Sequence, residues 1–144
     1  MFLFDEVDFV HTQSLPLRDL WVFLPIGYLF TIMIETPVLI VGLSPKVSLK
    51  QKLWFGAWLT ACTYPIVILV MPAIFLGSSR FLYLFVAETF APVAECALFW
   101  LSFRSRNLLD GGDWVRCLIA IVIANLASFG GGEILNHYGW FGLF

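Results

Sequence analysis

The sequence predicts an all-α integral membrane protein: four transmembrane helices arranged as two hairpins, with both termini on the non-cytoplasmic side. Three observations carry this prediction. The 144 residues are 60% hydrophobic and only 12% charged, against roughly 45–50% apolar and 25% charged in soluble domains. The apolar residues fall into four blocks, each long enough to cross a bilayer at about 20 residues per helix. The basic residues gather in two of the connecting loops, which marks those loops as cytoplasmic.

The chain opens with MFLFDEVDFVHTQSLPLRD. This stretch is acidic where a signal peptide would be basic, and no cleavage pattern follows it. Residues 1–19 are therefore expected to be a retained arm, with Phe2, Phe4, Phe9 and Val10 resting on the membrane surface. The spans follow at Leu20–Leu43, Leu53–Gly77, Phe81–Phe103 and Cys117–Leu135, so that 20–135 form the bundle and 136–144 an aromatic tail. By this reading no span contains a lysine or arginine. Lys46, Lys50 and Lys52 follow the first span, and Arg104, Arg106 and Arg116 follow the third. The N-terminal arm instead holds Asp5, Glu6, Asp8 and Asp19 against Arg18 alone. Trp21 and Trp140 suit one interfacial belt, and Trp54, Trp58, Trp100 and Trp114 the other. The expected location is a bacterial inner membrane, with the lipid bilayer as the first partner.

The two hairpins align with one another. Glu35 falls on Glu95, Thr60 on Asn125, Thr63 on Ser128, Tyr64 on Phe129 and Pro65 on Gly130, once the second loop is allowed five extra residues. Such an alignment describes a parallel repeat about an axis along the membrane normal, an arrangement known in transporters. Two apolar hairpins also resemble each other by default, and the depth argument does not need common ancestry. Glu35 and Glu95 each lie about 12 Å from the basic end of their spans at 1.5 Å per residue. Thr60 and Asn125 reach the same level in the spans that follow. Glu88 sits two turns from Glu95 on the same face, and Glu133 lies beyond Asn125 and Ser128. Together these residues make a candidate polar ladder.

Four of the ten acidic residues thus lie in spans. A lone carboxylate in a low-dielectric interior takes up a proton or finds a cation or water, and each intramembrane acid costs roughly 2.5–3.5 kcal/mol to insert. Glu35, Glu88, Glu95 and Glu133 are therefore candidate proton- or cation-binding groups, with Thr60, Thr63, Asn125 and Ser128 as uncharged ligands. The plainer alternatives are that Glu133 reaches water and that the others hold helices together as protonated acids. Each span also carries a helix breaker, and Pro37, Pro65, Pro92 and Gly130 are candidate hinges. A proline frees the carbonyl four residues before it, although prolines in membrane helices often do no more than bend them.

Other chemistry is thin. His11 and His137 lie outside the spans, so no histidine pair serves a haem. Cys62, Cys96 and Cys117 form no CxxC pair and are expected to act as small hydrophobes. Cys96 is turned about 100° from Glu95 on the helix, which disfavours a shared metal site. No phosphate-binding glycine loop, HExxH motif, Ser/His/Asp set or basic nucleic-acid surface is present. No metal, cofactor or nucleic acid is expected, and no nucleophile suggests an enzyme.

Four short spans with an acid in the first resemble the small multidrug-resistance exporters. The likeness covers architecture only, because this chain is longer, carries further acids and matches no motif of that family residue by residue. The expected function is a small transporter whose buried glutamates exchange protons or a small cation, working as a homo-oligomer or with a partner membrane subunit. The alternative is a non-catalytic subunit or assembly factor whose acids bind the helices of a larger complex.

Overall fold

The computed structural model describes residues 17–75, 77–105 and 107–138. The arm up to residue 16, with its phenylalanines and His11, lies outside the described residues, as do Arg106 and the tail from 139, with Trp140. The fold is all-helical, with no strand among the described residues. Helix α1 spans Leu17–Gly42, α2 Leu49–Ile74, α3 Arg80–Phe103 and α4 Gly111–His137. All four are long and apolar enough to cross a membrane.

All four helices begin before their apolar runs, α2 and α4 by the widest margins. Ser48 and Gln51 form a capping box that starts α2 at Leu49, and Asp110 and Asp113 form another that starts α4 at Gly111. Each box satisfies two backbone groups that a helix start leaves unpaired. It is built from polar residues, so hydropathy alone places the start too late. Lys50, Lys52 and Arg116 consequently belong to helices, which corrects the expectation that no span carries a lysine or arginine.

Lys52 and Arg116 also have a task beyond marking a loop. A helix end leaves its last four carbonyls without partners, and in a membrane each orphan costs several kcal/mol. At the end of α1 the Lys52 ammonium donates to the carbonyls of Ile40 and Leu43, both at 2.9 Å. The Arg116 guanidinium donates to those of Gly42 at 2.8 Å and Val41 at 3.2 Å. Two cations, one from α2 and one from α4, thus cap one helix end completely.

The following loop docks on the start of α4. The Ser44 hydroxyl donates to Asp113 at 2.6 Å, and its N–H donates to the Cys117 sulfur at 3.4 Å. Lys46 bridges Asp113 at 2.6 Å and Asp110 at 2.9 Å. Hydrogen bonding to Asp113 and then Asp110 holds the Lys46 ammonium above its ordinary range. The same lysine, helped by the backbone of Asp113, holds the Asp110 carboxyl below its own.

The tightest packing lies near these loops. Phe55, Phe99 and Phe103 meet with ring centroids 4.8–5.3 Å apart, and Trp114 stands edge-on to Phe99 at 6.0 Å. Small residues let the backbones close in. A Cβ on Gly42 would meet that of Ala120 at 2.6 Å, and one on Gly56 would meet the Thr36 hydroxyl at 2.4 Å.

Toward the other end α2 is interrupted. It is α-helical to Pro65, π-helical over Ile66–Val70, and α-helical again to Ile74. Met71 donates five residues back to Ile66, and the next bond in that register would run from residue 72 to Val67. Residue 72 is proline and has no N–H, so the Val67 carbonyl accepts instead from the Tyr83 hydroxyl of α3, at 3.1 Å. Pro25 and Pro37 in α1 and Pro92 in α3 lie inside continuous helices.

Candidate functional site

Each central glutamate extends a core stripe. On α1, Glu35 lies one turn before Leu39 and two before Leu43; on α3, Glu95 stands in the same relation to Phe99 and Phe103. Residues four apart share a helix face, so the packing that buries the leucines and phenylalanines carries the acids inward as well. Glu35 and Glu95 are each only 2% exposed.

The donors come from α2 and α4, in pairs three residues apart on one face. Thr60 of α2 donates to Glu35 Oε2 at 2.7 Å, and Ser128 of α4 donates to Glu35 Oε1 at 2.7 Å. Thr63 of α2 donates to Glu95 Oε1 at 2.8 Å, and the Asn125 amide of α4 donates to Glu95 Oε2 at 2.7 Å. All four carboxyl oxygens are thus engaged, and all four helices contribute. No lysine or arginine among the described residues bonds to either acid. Lys52 is on the same helix as Thr60, about 12 Å further toward the loops at 1.5 Å per residue, and is committed to the end of α1.

Each donor also touches its own helix. Thr60 Oγ1 is 2.9 Å from the Gly56 carbonyl, Thr63 Oγ1 3.2 Å from that of Leu59, and Ser128 Oγ 2.9 Å from that of Asn125. The second amide hydrogen of Asn125 goes to the Ile121 carbonyl at 3.0 Å. Beside Glu35, the buried Thr36 hydroxyl has no hydrogen-bond partner among the described residues.

The layer therefore gathers Glu35, Glu95, Thr60, Thr63, Asn125 and Ser128. Glu88 and Glu133 are outside it. Glu88 is half-buried and forms no hydrogen bond among the described residues. Glu133 accepts a long bond from Asn136 at 3.5 Å. Of the candidate hinges, Pro65 stands where α2 turns π-helical, Pro92 is buried in α3 and Pro37 is exposed on α1. Gly130 has open space where a Cβ would be.

Two carboxyls, three hydroxyls and an amide form an oxygen-rich, neutral-donor cluster that suits a proton or a small hard cation. No group of three or more His, Cys, Asp and Glu side chains converges among the described residues. Sequence reasoning missed the capping by Lys52 and Arg116, although the Ser48-x-x-Gln51 box gave a signal by placing Lys52 on the helix. It also missed the Tyr83–Val67 bond, for which no local signal exists. The chain matches no protein-family model, no curated protein and no solved structure.

Proposed function

We propose that this chain is a small membrane transporter in which Glu35 and Glu95 exchange protons or a small cation. One observation carries the reading: two carboxyls are buried in one layer, supplied with neutral donors by α2 and α4, and given no cation by the described residues. A permanent ion pair would lock such a site, whereas neutral donors tolerate both a bound and a free state. Ionisable residues inside a membrane bundle mark ion or proton pathways. The layer also divides a tightly packed half of the bundle from a looser one, which supports access from the terminal end.

The hydrogen bonds support the repeat as well. Exchanging Glu35 with Glu95, Thr60 with Asn125 and Ser128 with Thr63 turns one carboxyl's donor set into the other's. In this reading the basic loops face the cytoplasm of a bacterial inner membrane, both termini face out, and a homodimer widens the path that four helices alone enclose. The rival, a subunit holding partner helices through its acids, is left chiefly with Glu88, because Glu35 and Glu95 are turned inward and bonded and Glu133 has a partner in Asn136.

The test is reconstitution in liposomes loaded with a pH-sensitive dye, with imposed gradients of sodium, potassium or tetraethylammonium. The expected result is proton counterflow driven by at least one of them and abolished by Glu35→Gln or Glu95→Gln. Absence of counterflow with all three, together with co-purification of a larger membrane partner, favours the rival.

A further inference from the structure

We propose that the two carboxyls have different parts: Glu35 carries the proton that the pair shares, and Asn125 is the positioning residue that keeps the negative charge on Glu95. This rests on the exchange reading above for its purpose, but its evidence is a count of hydrogens within the layer.

A hydroxyl has one hydrogen and two lone pairs, whereas an amide nitrogen has two hydrogens and accepts nothing. Thr60 and Ser128 each lie between a Glu35 oxygen and a backbone carbonyl. Each can point its hydrogen at the carboxylate. Each can equally turn that hydrogen to the carbonyl and accept one from a protonated Glu35. Glu35 therefore has two equivalent places for a proton, Oε2 facing Thr60 and Oε1 facing Ser128, and neither needs a heavy atom to move.

Glu95 has one such place. Its Oε1 faces Thr63, whose alternative carbonyl bond to Leu59 is the longest of the three at 3.2 Å. Its Oε2 faces the Asn125 nitrogen, which donates in every state. The reverse amide orientation would set the Asn125 oxygen against the Ile121 carbonyl oxygen at 3.0 Å, two acceptors with no hydrogen between them, so the network itself assigns the nitrogen. A donor that cannot turn away favours the charged partner, since hydrogen bonds to an ionised acceptor are roughly twice as strong. Two charged carboxylates in one dry layer are costly, so a single proton shared by the pair rests on Glu35. Uptake forms an O–H bond at Glu35 and neutralises it, and release returns that proton to water. The other titratable side chains on the neighbouring turns are Tyr28 on α1, Lys52, Cys62 and Tyr64 on α2, Glu88 and Cys96 on α3 and Cys117 and Glu133 on α4. The one cation among them, Lys52, is bonded to the end of α1 and does not choose between the two acids.

Infrared spectroscopy of the full chain carrying Glu88→Gln and Glu133→Gln, in liposomes at neutral pH, tests this through the carbonyl stretch of protonated carboxylic acid, with no other acid in the apolar runs to contribute. Glu35→Gln should abolish that band and Glu95→Gln should retain it. A band that survives Glu35→Gln, or is lost in Glu95→Gln, overturns the assignment. The exchange Thr60→Asn with Asn125→Thr should reverse the pattern, so that Glu95→Gln then removes the band; an unreversed pattern overturns the role given to Asn125. Should that double variant fail to fold by circular dichroism, Asn125→Thr alone decides. It gives Glu95 two hydroxyl partners and should add a second carboxylic component, and an unchanged spectrum counts against the proposal. No band in the parent chain overturns both this assignment and proton exchange. A band on Glu35 without flux in liposomes overturns transport alone.

Discussion

On the loop side of the glutamate layer, Leu39, Leu43, Phe55, Phe99, Phe103 and Ile121 are buried against one another. On the terminal side, the buried positions among the described side chains reduce to Gly27, Met71, Ala87 and Pro92. Length does not explain the contrast, since the same four helices build both halves. In a bilayer, helices gain little by hiding apolar surface from lipid that is equally apolar, so close packing must come from complementary shape and satisfied polar groups. The loop half has interlocking rings, the Gly42–Ala120 contact and two cations capping α1. The terminal half has the π-helical stretch between Pro65 and Pro72. Close packing is concentrated on one side of the acids and sparse on the other.

The sharpest way to break that contrast is Phe99→Ala. It removes a ring that three others touch and should cost about 2–4 kcal/mol, mostly through the cavity left behind. Phe85→Ala, at a site 62% exposed, should change stability by less than about 0.5 kcal/mol. Reversible unfolding in mixed micelles compares the two, and equal costs would remove the distinction between the halves.

Lys52→Met should follow. It orphans the carbonyls of Ile40 and Leu43 and should destabilise by about 2–3 kcal/mol, near the cost of unsatisfied buried groups. A loss that vanished in this variant's unfolding curve would mean that water reaches the end of α1.

Glycines give a smaller and signed comparison. A Cβ on Gly56 would lie 3.0 Å from the Thr36 Cβ as well as striking its hydroxyl, so Gly56→Ala should cost about 1–2 kcal/mol by forcing α1 and α2 apart. A Cβ on Gly130 meets nothing within 4 Å, and Gly130→Ala should stabilise by about 0.5 kcal/mol through helix propensity. Transport lost in Gly130→Ala despite that gain would mark a working hinge; transport retained would mark a spacer.

The weakest effect is expected at the exposed clamp of Lys46 with Asp110. Because Asp110 is held low, its contribution is complete above the ordinary aspartate value of about 3.9 and fades as pH falls through the depressed one. Because Lys46 is held high, its contribution is complete below about 10.4 and fades as pH rises past that. Between these limits the clamp is constant. Protection of residues 43–48 from hydrogen exchange, corrected for the intrinsic pH dependence of amide exchange, should therefore fall in acid and again in strong base but stay level between, and Lys46→Met should remove both losses.

How much of this was legible beforehand depends on the range of the signal. The four spans are plain because hydropathy is a sum over each residue's own side chain. Equal depth for Glu35, Thr60, Glu95 and Asn125 is likewise readable, because helix rise is constant. The early starts of α2 and α4 were hidden behind polar caps, so Lys52 and Arg116 were read as loop charges. The π-helical register of Ile66–Val70 carries no mark beyond its two flanking prolines.

Reading along the chain is enough to find apolar helices of membrane-spanning length, with acids, hydroxyls and an amide at one level within them. It takes the packed bundle to show that Ser128 meets Glu35 while Asn125 meets Glu95, that Glu88 and Glu133 are outside the layer, and that Lys52 and Arg116 cap α1 rather than pair with the buried glutamates. Depth follows from counting residues along one helix. Which donor faces which oxygen depends on how helix faces turn toward one another, and that is set by close contacts such as Gly56 on Thr36 and Gly42 on Ala120, between residues far apart in the chain.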